Sequence, residues 1–115
     1  MGASKSGQRS AELGKAAAIV EHFDGDAALY DAFAASCARQ FAIDVATGQA
    51  ACEAGDLQTL CALAHNLKSA LLMLGHTGLS GLAGRVDVLA SGGQLASAGA
   101  SWRTLRAELL SLLST

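Results

Sequence analysis

The chain has 115 residues, which suits one domain with a single hydrophobic core. Hydrophobic residues make up 51% of the sequence, mainly alanine and leucine, while aromatic residues contribute 4% and proline is absent, so helices are favoured over β-rich folds. A formal charge of −2 and a single tryptophan and tyrosine provide neither a basic surface nor a stacking platform, which argues against nucleic acid as a partner.

The N-terminal part of the chain is predicted to contain a leader and two helices. Residues 1–10 lack periodicity and are predicted to be a flexible leader, and residues 11–115 to be the folded domain. A short helix is predicted from near Ala11 to Glu21. Asp24 or Asp26 can cap a long helix whose apolar positions recur about every four residues, namely Leu29, Phe33, Cys37, Phe41 and Val45.

Glycines set the expected boundaries of the next helix. Gly48 weakens the long helix locally by about 1 kcal/mol relative to alanine, but the apolar pattern resumes after it. Gly55 can take the left-handed conformation that ends a helix, and Asp56 can cap the following one. We therefore predict a third helix over Leu57–Leu74, stopping at Gly75.

Two more helices complete the predicted fold. Thr77 can cap a fourth helix that ends at Gly92–Gly93, and Ser97 or Ser101 can open the last one, which runs to the C-terminus. The fold class predicted from this pattern is all-α, an antiparallel up-and-down four-helix bundle with an additional short N-terminal helix.

Cysteine usage and hydropathy indicate the compartment. The three cysteines are odd in number and contain no C-x-x-C pair, so neither a disulfide framework nor a zinc ribbon is indicated, as expected in a reducing cytosol. No apolar run approaches about 18 residues, and the N-terminus lacks a hydrophobic signal core. We expect a cytoplasmic protein without membrane insertion.

A helical wheel of the third helix separates its leucines from its histidine. The core stripe is formed by Leu60, Leu63, Leu67, Leu71 and Leu74, and His65 lies at the centre of the opposite face. Around the histidine the wheel places Cys61, Ala62, Lys68, Ser69, Leu72 and His76. This face therefore combines small neighbours, one ammonium group and no carboxylate, which leaves room for another molecule to approach the imidazole.

The residues around this histidine resemble a known family. The stretch Ala64-His65-Asn66-Leu67-Lys68-Ser69, followed by Leu74-Gly75, resembles the H-x-L-K-G core of histidine-containing phosphotransfer (HPt) domains. The resemblance covers roughly residues 15 to 113 and implies a four-helix bundle with an additional N-terminal helix. The chain departs from the family pattern at three positions: Ser69 replaces a glycine, His76 a small residue, and Asp87 a commonly found glutamate.

The resemblance implies that the protein is a phosphocarrier. His65 would accept a phosphoryl group from the aspartate of one response-regulator receiver domain and pass it to another receiver. Lys68 would offset phosphoryl charge and the Ser69 hydroxyl would donate a hydrogen bond. The implied partners are receiver domains and a hybrid sensor histidine kinase, and the surface expected to meet them comprises Cys61, Ala62, Leu72, Met73, His76 and Arg85.

No cofactor is predicted in this chain. Asp24-Gly25-Asp26 is its only close carboxylate pair, and Ala28 stands where a calcium loop would continue with Asp or Asn. We therefore expect the Mg²⁺ that phosphoryl transfer requires to be held by the partner receiver domain. The sequence offers no phosphate-binding Gly-rich loop and no room for an ATP-binding domain, so we expect a carrier and not an enzyme, and a monomer suffices for this role.

Three alternatives remain at the level of sequence. A metal-binding bundle is suggested by Cys61 and His65, four residues apart on one face, with His76 near the same azimuth. The phosphoacceptor region of a sensor kinase is disfavoured, because His65 is followed by Asn66 and the chain has no proline. An interaction module without phosphorylation would use Leu72 and Met73 to hold its partner.

Overall fold

The fold is all-α, as predicted. The structure is a computed structural model that describes the backbone of residues 2–114 and the side chains of residues 11–114. These residues form five helices, α1 to α5 in chain order: Gly2–Phe23, Ala27–Ala54, Leu57–Met73, Thr77–Ser91 and Leu95–Leu113.

Two aspartates begin helices as the sequence predicted. The Asp26 carboxylate accepts a hydrogen bond from the Leu29 backbone amide at 3.0 Å, and Asp56 accepts one from Thr59 at 3.1 Å. Each bond satisfies one amide that the first turn of a helix leaves without a partner. Gly55 ends α2 with φ of 68°, a left-handed conformation that costs glycine no steric penalty. Both predicted boundaries are confirmed.

The N-terminal helix is longer than the sequence indicated. It begins at Gly2 instead of near Ala11, so the backbone of the predicted leader is helical from its second residue. The physical reason is that the leader contains alanine, lysine, glutamine and arginine without proline, and isolated glycines lower helix propensity without ending a helix. The side chains of residues 1–10 lie outside those that the structure describes, and the flexibility of the leader stays a prediction.

Two other helix starts also differ from the prediction. Thr77 is the first residue of α4, and His76 occupies the capping position without a side-chain cap. Helix α5 begins at Leu95, before both Ser97 and Ser101, again without a side-chain cap. Packing replaces capping here, because the first turns of α5 lead directly into residues that are buried in the core.

The helices surround one hydrophobic core. Helix α3 packs against α2 and α4, helix α5 packs against α2 and α4, and α1 contacts α2. All five leucines of the predicted α3 stripe are buried, which confirms that assignment. The largest fully buried side chains are Trp102, Leu60, Leu67, Leu71, Leu105, Leu109 and Val86.

Helix α2 remains continuous through Gly48, because the glycine makes room for a tryptophan. Gly48 is buried against the Trp102 ring of α5, and an added Cβ would lie 2.9 Å from Cε2 and closer to other ring atoms. The indole Nε1 of Trp102 donates a hydrogen bond to the Gln49 side chain at 3.3 Å. The glycine that weakens the helix in isolation therefore permits close packing of the Trp102 ring of α5 against α2.

The connection between α3 and α4 is short and held from two sides. Gly75 has φ of 87°, and a Cβ on Gly14 of α1 would lie 2.6 Å from the Gly75 carbonyl oxygen, so α1 crosses this turn in direct backbone contact. The buried Tyr30 hydroxyl donates a hydrogen bond to the Leu74 carbonyl oxygen at 2.6 Å. These contacts fix the end of α3 and the start of α4, the two helices that carry the candidate site.

Candidate functional site

His65 projects from the outer face of α3. Its side chain is 66% exposed, whereas Leu63, Ala64 and Leu67 beside it are buried. The imidazole is therefore accessible to another molecule while its helix is anchored in the core. Ala62, one turn earlier, is also exposed, so no large side chain of α3 covers the ring from that direction.

A carboxylate from α4 contacts the imidazole. The Asp87 Oδ2 atom lies 3.3 Å from Nδ1 of His65, at the long end of hydrogen-bond distances, and the Asp87 side chain is only 19% exposed. The prediction that the histidine face has no carboxylate is therefore wrong. The wheel of α3 could not include Asp87, because this residue belongs to the neighbouring helix.

Cys61 and Ser91 hold the other oxygen of the same carboxylate. The Cys61 thiol donates to Asp87 Oδ1 at 3.1 Å, and the Ser91 hydroxyl donates to the same atom at 3.4 Å. The thiol sulfur and the Ser91 oxygen are 3.0 Å apart. Cys61, predicted as a partner-binding residue, thus belongs to a four-residue cluster with His65, Asp87 and Ser91.

The hydrogen bonds favour the ionised form of Asp87. The bond from Cys61 lowers the pKa of Asp87 most, and the bond and positive charge of His65 lower it further, whereas partial burial opposes them. An ionised carboxylate only accepts hydrogen bonds, so its contact with the imidazole requires a proton on Nδ1. In the neutral ring this arrangement leaves the lone pair on Nε2, the nitrogen that does not face Asp87.

An open groove borders the imidazole between α3 and α4. It has a volume of about 730 Å³, and its walls include Leu57, Cys61 and Ala62 from α3 together with Ala90 and Ser91 from α4. The groove is mostly apolar at its walls, and its polar residues include His65, Asp87 and Ser91. The predicted contact residues Cys61 and Ala62 are therefore confirmed as neighbours of the histidine, and their role toward a partner stays a prediction.

The remaining predicted residues of α3 lie along the same helix toward its end. Lys68 and Ser69 are exposed one turn after the histidine, and the aliphatic stem of Lys68 runs beside Gly84, where an added Cβ would lie 3.4 Å from Cδ. Leu72 is 48% exposed and Met73 36% exposed. An ammonium group and an apolar patch thus follow the imidazole, on the side away from the groove.

Arg85 is not brought to the histidine. It is exposed on α4 and lines a separate depression with Leu82 of the same helix and Ser101 of α5. Asp87, two residues further along α4, is the side chain that turns toward α3. Arg85 therefore does not lie on the surface around the imidazole, where we expected it.

His76 also lies away from His65. It is half-buried and lines a pocket of about 230 Å³ with Tyr30 and Phe41 of α2, and this burial lowers its pKa. The wheel placed it beside the phosphoacceptor candidate because the helical rotation was continued past the end of the helix at Met73. Its predicted place on the histidine face is therefore wrong.

The metal-binding alternative loses one of its three residues by this placement. Among the side chains of residues 11–114, no group of three or more histidine, cysteine, aspartate or glutamate residues is arranged to hold a metal ion.

Within residues 2–114, no helix combines the length and the apolar character needed to cross a bilayer.

Comparisons of the chain with protein-family models, curated proteins and solved structures gave no match. The functional interpretation therefore depends on the geometry around His65 and on the resemblance of its sequence. From the sequence, Asp87 was noted only as a departure from the family pattern, and neither Asp87 nor Ser91 was placed beside His65, although a signal for this contact was present. In an antiparallel helix pair joined by a short turn, residues equally distant from the turn face each other, as His65 and Asp87 do.

Proposed function

We propose that the protein is a histidine phosphotransfer domain of a two-component phosphorelay, with His65 as the phosphoacceptor. The single observation that carries the proposal is an exposed imidazole whose Nδ1 faces a carboxylate. In the neutral ring this contact leaves the lone pair on Nε2. Helices α2 to α5 would form the antiparallel four-helix bundle of such a domain, with α1 added at the N-terminus. The sequence around His65 and the exposed Lys68 beside it agree with this role.

The transfer reaction follows from the state of the ring. The Nε2 lone pair attacks the phosphorus of an aspartyl phosphate on a receiver domain, the bond from phosphorus to the aspartyl oxygen breaks, and its electron pair leaves with the carboxylate. The product carries phosphorus on Nε2 and a proton on Nδ1, so the ring is positively charged. The Asp87 carboxylate, 3.3 Å from Nδ1, stabilises this positive charge. The same reaction in the opposite direction passes the phosphoryl group to the aspartate of a second receiver.

Lys68 and Ser69 would act on the phosphoryl oxygens. Both side chains are exposed on the face of α3 that carries His65, one helical turn away. The ammonium group of Lys68 would offset negative charge on the phosphoryl group, and the Ser69 hydroxyl would donate a hydrogen bond to it. These roles require only side-chain rotation on a helix whose backbone is held by its buried leucines.

The proposed protein is a carrier and not an enzyme, and its partner supplies the metal. The Asp87 carboxylate beside the imidazole already accepts hydrogen bonds at both oxygens, from Cys61, Ser91 and His65. We therefore assign the Mg²⁺ of the reaction to the receiver domain. The proposed partners are cytoplasmic receiver domains, including that of a hybrid sensor histidine kinase, and a monomer presents the whole site.

The test begins with a small phosphoryl donor, so that it does not depend on knowing the natural partner. The protein is incubated with labelled phosphoramidate, whose P–N bond breaks as Nε2 binds phosphorus and ammonia leaves. We expect acid-labile label on the wild type and on His22→Gln, which changes another exposed histidine, and no label on His65→Gln. Equal labelling of His65→Gln would refute the assignment of the phosphoacceptor.

The second stage tests the relay itself. The labelled protein is presented with Mg²⁺ to a broad panel of purified receiver domains, and we expect the label to leave His65 and appear on the aspartate of at least one receiver. Retention of the label on His65 with every receiver would contradict a phosphorelay. Binding of a receiver equally well by wild type and His65→Gln, without transfer, would favour the phosphorylation-independent interaction module.

A further inference from the structure

The cluster around Asp87 contains a thiol whose position suggests a function of its own. Cys61 and His65 are four residues apart on α3, and Asp87 and Ser91 are four residues apart on α4, so two pairs of side chains face each other across the interface. The carboxylate stands at the centre, with Oδ1 directed to Cys61 and Ser91 and Oδ2 directed to His65.

We propose that Cys61 is a positioning residue for the phosphoacceptor, because its thiol orients the Asp87 carboxylate so that the carboxylate holds the proton of His65 on Nδ1. This inference rests on the proposed function, and it adds a residue and a mechanism for selecting the reactive nitrogen. Cys61 touches neither the ring nitrogen that reacts nor the phosphoryl group.

Orientation of the carboxylate needs an external constraint. The terminal torsion of an aspartate is broad, so the side chain by itself does not select the plane in which its oxygens lie. Donors at Oδ1 remove this freedom, and the Cys61 donor is closer than the Ser91 donor, at 3.1 Å against 3.4 Å. Because Cys61 and His65 share one helix, the thiol keeps the carboxylate in register with the imidazole.

The charge of the acceptor makes the thiol effective. A thiol is ordinarily a weak donor, but a hydrogen bond to an ionised group is stronger than one between neutral groups. Asp87 is partly buried, with 19% of its side chain exposed, so fewer water molecules can compete with the thiol for the carboxylate. The alternative explanation is that Cys61 only fills space beside the groove as a small hydrophobic residue.

Substitutions at Cys61 separate donation from space filling. Cys61→Ser retains a donor, Cys61→Val fills the space without one, and Cys61→Ala does neither. Cys52→Ala is the matched control, because Cys52 is a half-buried cysteine on α2 that packs against the core away from the cluster. Asp87→Asn gives the limit in which no carboxylate faces the ring.

The readout is the position of the imidazole proton in the unphosphorylated protein. Nitrogen-15 NMR of His65, at a pH where the ring is neutral, distinguishes a proton on Nδ1 from one on Nε2, which free histidine prefers. We expect the Nδ1 form to predominate in the wild type, Cys52→Ala and Cys61→Ser, and to decrease in Cys61→Ala and Cys61→Val. The rate of labelling of His65 by phosphoramidate should fall about fivefold in the last two variants, corresponding to one hydrogen bond, and recover in Cys61→Ser.

The outcomes distinguish this inference from the proposed function. An unchanged proton position in both Cys61→Ala and Cys61→Val would overturn the positioning role, even if His65 accepts and transfers phosphoryl groups. A shifted proton position would support the positioning role, even if no receiver accepts the label. Recovery in Cys61→Val but not in Cys61→Ser would show that space filling is what matters and would also overturn the inference.

Discussion

The contact between Gly48 and Trp102 makes a quantitative prediction that runs against helix propensity. In an isolated helix, Gly48→Ala would add stability of about 1 kcal/mol. In the protein, the new Cβ would lie 2.9 Å from Cε2 of a fully buried indole ring and closer to other ring atoms, whereas favourable carbon contacts are about 3.5–4.0 Å apart. The ring or the two helices must therefore move, and the hydrogen bond from Trp102 to Gln49 would be disturbed as well.

Overpacking costs about 1–3 kcal/mol, and three ring atoms closer than 3.0 Å place this substitution in the upper part of that range, at about 2–3 kcal/mol. After the gain of about 1 kcal/mol in helix propensity, we expect Gly48→Ala to lose about 1–2 kcal/mol. Urea unfolding followed by circular dichroism measures this loss, and the melting temperature should fall by about 5–10 °C. Gly81→Ala is the matched control, because Gly81 is an exposed residue inside α4 with nothing within 4 Å of an added Cβ, and it should gain about 0.5–1 kcal/mol.

A double variant connects the loss to the ring. In a Trp102→Leu background the indole is absent, so adding Gly48→Ala should cost much less than it costs in the wild type, giving a coupling energy of about 1 kcal/mol or more. The reasoning would be refuted by a Gly48→Ala variant as stable as Gly81→Ala, or by an equal loss in both backgrounds.

Three further predictions concern stability and pH. Tyr30→Phe removes the buried donor to the Leu74 carbonyl and should cost about 1–2 kcal/mol in urea unfolding, and a loss below about 0.5 kcal/mol would contradict this contact. Burial lowers the pKa of His76, so as the pH falls the unfolded chain binds this proton before the folded protein does. The free energy of unfolding should therefore be unaffected by His76 above about pH 6.5 and decrease below it. His76→Gln should lack this decrease, and a pH profile identical to that of the wild type would contradict the prediction. The pKa of Asp87 is lowered from 3.8, so its contribution to stability should be present above that pH and disappear as the pH falls through the lowered value. In Asp87→Asn, the free energy of unfolding should therefore depend less on pH in this acidic range. A steeper pH dependence would contradict the prediction.

Most of the fold could be predicted from the sequence, because it depends on local signals. The period of the leucines and the Gly55–Asp56 boundary each arise from interactions within a few residues, and they predicted the helices and the buried face of α3. The start of α5 at Leu95 could not be predicted in the same way, since no side chain caps it and burial of later residues stabilises it. The role of Gly48 also depends on a residue that is distant in sequence.

The residues that α3 contributes to the candidate site could be predicted from the sequence, whereas those of α4 could not be predicted from the wheel of α3. The wheel of α3 predicted that His65 is exposed, with Cys61 and Ala62 beside it. It placed His76 wrongly because the helical rotation ends with the helix, and it missed Asp87 because a wheel contains no neighbouring helix. Equal distance along the chain from position 76 would have indicated the facing pairs: His65 with Asp87, Cys61 with Ser91, and Lys68 with Gly84.

The turn at residues 74–76 contributes no side chain to the site, but its length determines how α4 is aligned with α3. A helix turns by about 100° per residue, so one residue added to or removed from this turn would rotate α4 and carry Asp87 and Ser91 away from α3 together. Substitutions elsewhere on the surface leave the rotation of α4 relative to α3 unchanged. Among homologous chains, we therefore expect an insertion here to leave the proposed phosphoacceptor without its carboxylate, although the sequence motif around His65 is unchanged.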